Sequence, residues 1–177
     1  MELSVVLITW NSESYVTACL DSLWTATEGV EREILLVDNG STDATRELLQ
    51  PYIARKEAHY FPQPKNFGVA KARNIGLREA RGKYIWLLDI DTVVNREAFT
   101  AMRDYLERDA LCGICGCMLK NAAGEVQESC RRYPTFRYKL YNVGESLCGK
   151  VGLGRRLNRK NQSQFYHREM TSGRPFY

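Results

Sequence analysis

At 177 residues the chain is long enough for one domain with a substantial core. Its composition, 44% hydrophobic and 26% charged, excludes a disordered or fibrous chain, and no apolar run approaches the ~20 residues that cross a bilayer. The net charge of +4 divides into an acidic front, with 14 Lys/Arg against 19 Asp/Glu in residues 1–130, and a basic back, with 11 against 2 in residues 131–177.

Met1-Glu2-Leu3-Ser4 leads straight into a strand, with neither a basic region nor a small-residue cleavage site. A cytoplasmic chain with six free thiols is therefore expected. Leu3 to Ile8 forms that buried strand. Asn11 and Ser12 then offer helix caps, and Tyr15, Val16, Cys19, Leu20 and Leu23 follow at helical spacing. Glu33 to Val37 is a second strand, ending in the turn cluster Asp38-Asn39-Gly40-Ser41-Thr42-Asp43. The next helix buries Ala44, Leu48, Leu49 and Ile53, with Pro51 as a kink or restart.

A short strand near Tyr60-Phe61 and a Pro-rich loop precede a helix from Val69 to Arg81, with Gly82 at its C′ position. Lys83 to Leu88 is a fourth strand, and Ala98, Phe99, Met102, Tyr105 and Leu106 mark one face of another helix. This alternation predicts an α/β fold, with parallel strands joined by right-handed crossovers. Cys112 to Leu119 and Glu125 to Arg131 read as a hairpin around Asn121-Ala122-Ala123-Gly124. From Gly149 onward periodicity fades, and irregular chain is expected.

The densest chemistry lies in Ile85-Trp86-Leu87-Leu88-Asp89-Ile90-Asp91-Thr92, an apolar strand that ends in two carboxylates. In an extended chain residues i and i+2 share a side, which sets Asp89 and Asp91 roughly 7 Å apart at the backbone, facing one spot. Paired hard oxygens suit a divalent cation that still carries a ligand's phosphates. In open parallel sheets, ligands bind beyond the C-terminal strand ends. Thr9 and Asn11, Asp38 and Asn39, and Asp89 and Asp91 follow three such ends. For Asn11 and Asp43 helix capping alone would account for the residue type.

Four ordered runs, Val5-Val6-Leu7-Ile8-Thr9-Trp10-Asn11, Val37-Asp38-Asn39-Gly40-Ser41-Thr42-Asp43, Asn66-Phe67-Gly68-Val69-Ala70-Lys71-Ala72-Arg73-Asn74 and Leu88-Asp89-Ile90-Asp91-Thr92, resemble those of family 2 glycosyltransferases. The resemblance covers residues 3 to 135 and implies the GT-A fold, a mostly parallel sheet flanked by helices with a β-hairpin after the D-x-D strand. It implies that Thr9, Asn11 and Asp38 hold the nucleobase, with Asp38 accepting from a pyrimidine N3–H. Asn66, Gly68 and Arg73 would close over the nucleotide, Arg73 meeting a phosphate. Asp89 would contact the ribose, and Asp91 would hold Mg2+ or Mn2+ against the diphosphate. Residues 124–135 are similar to the hairpin of rhamnosyltransferase-like members, which implies surface-polysaccharide synthesis from a UDP- or dTDP-sugar, dTDP-rhamnose included. The acceptor would be a glycan or a lipid-diphosphate-linked glycan.

Two domains are expected, a nucleotide-sugar-binding core at 1–135 and a basic segment at 136–177 that begins an acceptor-binding region. The basic segment is either a solvated tail or a contact with an anionic membrane surface on the cytoplasmic side. No nucleic-acid partner is expected. Inversion requires a carboxylate base. Glu125, Glu128, Glu145 and Glu169 match no such motif, so the chain reads as a donor-binding portion whose base lies elsewhere. Two other functions compete, a non-catalytic nucleotide-sugar-binding module and a sugar-phosphate nucleotidylyltransferase. The latter wants a Gly- and Arg-rich loop where this chain has Thr9-Trp10-Asn11-Ser12. Cys112, Cys115 and Cys117 read as packed thiols in preference to zinc ligands. Trp10, Trp24 and Trp86 read as core, with Trp10 closest to the crevice.

Overall fold

The computed structural model describes residues 1–127. They fall into two units, Met1–Cys115 and the start of a second unit at Gly116. The first holds a four-stranded parallel sheet in the order β3-β2-β1-β4, from β1 (Leu3–Thr9), β2 (Arg32–Asp38), β3 (Ala58–Pro62) and β4 (Tyr84–Asp89). Four helices alternate with these strands, α1 (Val16–Ala26), α2 (Thr45–Ile53), α3 (Val69–Glu79) and α4 (Arg96–Arg108). The second unit opens with a hairpin of β5 (Leu119–Lys120) and β6 (Val126–Gln127), paired antiparallel. The expected turn is there, closed by Gly124 N–H on the Asn121 carbonyl at 2.9 Å. Its first strand is shorter than expected because Cys112–Met118 is irregular, and the end of its second lies outside the described residues.

The strand faces divide the core. Leu3, Val5 and Leu7 of β1 join Ile34, Leu36 and Leu88, and α1 adds Val16, Cys19, Leu20 and Leu23 to that side. Each such fully buried leucine contributes about 1.5–3 kcal/mol relative to exposure. On the opposite face α3 lies against Val6, and only a glycine permits the approach. A Cβ on Gly76 would stand 2.5 Å from Val6 Cγ1.

Gly82 does not cap α3. The helix stops at Glu79, and Ala80 is already extended. Gly82 instead passes close to β1, where a Cβ would meet the backbone of Leu3 and Ser4 at 2.6 and 2.5 Å. There the buried Glu33 carboxylate accepts from Ser4 Oγ at 2.6 Å and from Arg81 N–H at 2.7 Å, while Gly82 N–H donates to Ser4 Oγ at 2.7 Å. This polar knot pins the α3–β4 connection to the N-terminal end of the sheet.

Other expectations shift for tertiary reasons. In α2 Leu49 is buried and Leu48 and Ile53 pack half-buried against the core, but Thr45 and Tyr52 are buried with them, Ala44 is exposed, and Pro51 sits inside the helix without ending it. α1 starts at Val16 with no side-chain cap, because the Asn11 amide oxygen accepts from Thr42 N–H and the Ser12 hydroxyl is engaged with the Trp10 backbone. β4, apolar in sequence, is an outer strand of the described sheet. Its Ile85 and Leu87 pair with Ser4 and Val6 on the α3 side and remain 46% and 45% exposed. Among the described residues no helix is long and apolar enough to cross a membrane.

Candidate functional site

The C-terminal ends of β1, β2 and β4 lie side by side, with Thr9 opposite Asp38 and Ile8 opposite Asp89. Beyond them the β1–α1 and β2–α2 loops are stitched together. Asn11 N–H donates to Ser41 Oγ at 3.0 Å, and the Asn11 amide oxygen accepts from Thr42 N–H at 2.9 Å. Asn11 holds a positive φ of 47°, a conformation Asn tolerates better than most residues. Ser12 N–H reaches Thr45 Oγ1 at 2.7 Å, and Glu13 N–H reaches Asp43 at 3.2 Å.

Asn39 ties in the loop before α3. Its amide nitrogen donates to the Asn66 amide oxygen at 2.9 Å, and its own oxygen accepts from Phe67 N–H at 3.0 Å. Asn66 also accepts from Gly68 N–H at 2.8 Å. Gly40, at φ +82°, lets the two loops touch, since a Cβ there would stand 2.6 Å from the Lys65 backbone.

Asp38 is fully buried, its Oδ2 accepting from Arg46 Nε at 2.7 Å and from Tyr60 OH at 3.0 Å, its Oδ1 from Ser41 N–H at 2.9 Å. Burial alone would raise this carboxyl, but donors from Ser41, Arg46 and Tyr60 outweigh it and hold the group below its ordinary value. Burial and the Asp38 acceptor push the Tyr60 phenol up to about 12, so it stays a donor. Thr9 is also fully buried, and its hydroxyl has no hydrogen-bond partner among the described residues.

Asp89 ends β4 on the α3 face and is exposed, where it pairs with Arg73 of α3 at 2.5 Å. Asp91 does not continue the strand. Ile90 and Asp91 form a turn closed by Thr92 N–H on the Asp89 carbonyl at 3.1 Å, so the same-side rule for extended chain does not extend to Asp91. Its carboxylate is exposed and has no hydrogen-bonded partner among the described residues. Beneath the turn the Cys19 thiol is pushed up to about 12 by burial and by the charges of Asp91 and Asp89, and so stays a neutral thiol.

No group of three or more His, Cys, Asp or Glu among the described residues could hold a metal. One free carboxylate with a second close by in sequence fits a cation of the Mg2+ type, which takes one or two protein oxygens and fills its shell from phosphates and water. Cys112 and Cys115 are half exposed, and their thiols point to the carbonyls of Ile114 and Met102, with no zinc site among the described residues.

Trp24 and Trp86 pack against the core, whereas Trp10 is 54% exposed at the end of β1. Sequence reasoning passed over Arg46 and Tyr60. Arg46 reads as an exposed helix residue, and its tie to Asp38 is a tertiary contact. Tyr60 did leave a signal, since it sits on the same strand face as its register partner Leu36 and hence as Asp38.

A sequence model described as glycosyl transferase family 2 matches residues 4–163. The uncharacterized glycosyltransferase EpsJ of Bacillus subtilis is 32% identical over 114 residues, which is 64% of this chain and 33% of that protein. The poly(ribitol-phosphate) beta-N-acetylglucosaminyltransferase TarS of Staphylococcus aureus is 33% identical over 99 residues, 55% of this chain and 17% of that one. The chain thus spans a third or less of both. The crystal structure of S. aureus TarS 1–349 with UDP-GlcNAc superposes with a TM-score of 0.55 at 26% identity, over 68% of this chain and 39% of that one. The mannosyltransferase PcManGT of Pyrobaculum calidifontis, solved with GDP-Man and Mn2+, gives a TM-score of 0.55 at 22% identity, over 59% and 32% of the two chains, a likeness of fold alone.

Proposed function

Because the chain belongs to glycosyl transferase family 2 and has the GT-A fold, we propose that it is the donor-binding part of a glycosyltransferase that takes a UDP- or dTDP-sugar. The observation that carries this reading is the polar edge formed by the ends of β1, β2 and β4, with the Arg73–Asp89 pair and, in the turn that follows, the Asp91 carboxylate, which has no hydrogen-bonded partner among the described residues. Thr9, Asn11 and Asp38 make the base side of that edge. Asn66 and Gly68 form its closing loop, Arg73 faces a phosphate, and Asp89 faces the ribose. The relative solved with UDP-GlcNAc supports a uridine donor.

Asp91 is the residue that would hold Mg2+ or Mn2+, which supplies Lewis-acid charge for the departing nucleoside diphosphate. Arg73 is already anchored at the same corner and can pass from Asp89 to a phosphate oxygen as a charge-assisted donor. Transfer proceeds with inversion and draws its base from outside the described residues. Glu125 is tied to the hairpin turn through Asn121 at 2.9 Å. The acceptor is a glycan or a lipid-diphosphate-linked glycan in bacterial surface-polysaccharide synthesis, a setting supported by the TarS and teichoic-acid names among the relatives. The basic residues 136–177 lie outside the described residues and would meet the cytoplasmic membrane surface.

Thermal unfolding with UDP, dTDP, GDP and CMP, each with Mn2+ or EDTA, tests the donor site. Ligand at ten times Kd adds about 1.4 kcal/mol, roughly 3–6 °C in Tm. UDP or dTDP should give that shift only with metal, and Asp91→Asn should lose most of it. A chain that no nucleotide stabilises would contradict the proposal.

A further inference from the structure

The carboxylate read as the metal ligand stands on chain that no strand ladder holds. β4 ends at Asp89 and α4 begins at Arg96, so Asp91 lies in the connection 90–95, where Thr92 N–H closes the turn on the Asp89 carbonyl at 3.1 Å. Ile90 and Val94 pack half-buried against the core, and Asp91 and Val93 face out. Apolar packing of this kind sets the depth of the connection. A directional bond is needed to set its register.

That bond comes from α1, where Cys19 and Ser22, three residues apart on one face, meet the two ends of the connection. Cys19 Sγ lies 3.9 Å from the Asp89 carbonyl oxygen and also meets the Thr92 backbone N–H. A thiol makes only weak hydrogen bonds, so this end is lightly held. Ser22 Oγ accepts from Val94 N–H at 3.1 Å, an ordinary hydrogen bond. The same hydroxyl donates to the Cys19 carbonyl at 2.8 Å, which commits its proton to the helix and leaves its lone pairs for Val94.

Resting on the donor-site reading above, we propose that Ser22 is a positioning residue for Asp91, holding the turn through the Val94 backbone where Asp91 can meet a divalent cation. Ser22 itself touches neither nucleotide nor cation. Without its hydroxyl every donor-site side chain is still present, but the turn is free to shift and Asp91 is less often in place. Residues that support a ligand from behind account for about 10–100-fold in metal affinity.

Equilibrium dialysis of UDP against the full chain, at a fixed UDP concentration and rising Mn2+, gives the Mn2+ concentration for half-maximal binding. Ser22→Ala should raise that concentration about tenfold. Ser22→Thr, whose hydroxyl can make the same two bonds from a helix, should stay within about twofold of the wild type. Leu23→Val trims the fully buried neighbour in the same helix and should leave the Mn2+ requirement unchanged. An unaltered requirement in Ser22→Ala, or an equal rise in Leu23→Val, would overturn the assignment. Hydrogen exchange at Val94 N–H reads the same link without metal, and Ser22→Ala should speed it several-fold. An amide already unprotected in the wild type would overturn the assignment as well. A wild-type chain that binds no UDP, or binds it regardless of Mn2+, removes the donor-site reading itself, and that outcome appears before any variant is made.

Discussion

Buried charge at Asp38 is sustained by four donors, and this makes the residue a sensor of acid. Its folded-state value lies below the ordinary one, so below about pH 3.9 the unfolded chain binds more protons and stability falls with pH. The contribution is complete above about pH 5 and is lost as pH drops toward the folded value. Asp38→Asn should cost about 1–3 kcal/mol in urea unfolding at pH 7. It should also flatten the acid slope between pH 5 and 3, measured by midpoints across that range. A variant with the wild-type slope would mean that other carboxylates carry the acid response. Asp38, Asp89 and Asp91 were legible as residue types at strand ends. Their partners were not, because Arg46, Tyr60 and Arg73 reach them only once the sheet has formed.

Strand and helix order was readable from hydrophobic period, and β1, β2 and β4 fall within a residue or two of their expected bounds. The misreadings were at glycines and turns, where the same residue type serves several purposes. Gly82 looked like a helix cap and is instead a point of backbone contact with β1. The continuation of β4 through Asp91 looked regular and is a turn. These distinctions predict unequal costs. Gly82→Ala presses on the backbone of Leu3 and Ser4, which cannot move alone, and should destabilise by about 3 kcal/mol or more. Gly76→Ala presses on one Val6 methyl and should cost about 1–3 kcal/mol. Adding Val6→Ala should recover part of the Gly76→Ala loss and none of the Gly82→Ala loss. Equal rescue of both in denaturant titrations would contradict this account.

Across the whole molecule the charge division was legible by counting, since 11 of 25 Lys/Arg and only 2 of 21 Asp/Glu fall after residue 130. The use of that basic segment is a matter for solution measurement. Attraction to an anionic surface is worth about 1 kcal/mol per basic residue close to it and fades with ionic strength. The chain should sediment with vesicles rich in anionic lipid at about 0.05 M salt, and roughly 0.5 M salt should release it. Equal binding to neutral vesicles would rule out the electrostatic contact.

The sheet order also governs the moment at which this protein becomes a protein. β1 is central, but its neighbours arrive at different times, β2 soon after it and β4 only after α2, β3 and α3 have been made. On a ribosome adding about 5–20 residues per second, the chain from Asp38 to Asp89 takes roughly 3–10 s to synthesise. Throughout that interval one edge of the most buried strand is unpaired, and the Ser4–Glu33 pair still lacks the backbone donors of Arg81 and Gly82. The nascent chain is therefore most exposed to mispairing while it is being made, and the strand that ends in Asp89 is also the one that completes the described sheet.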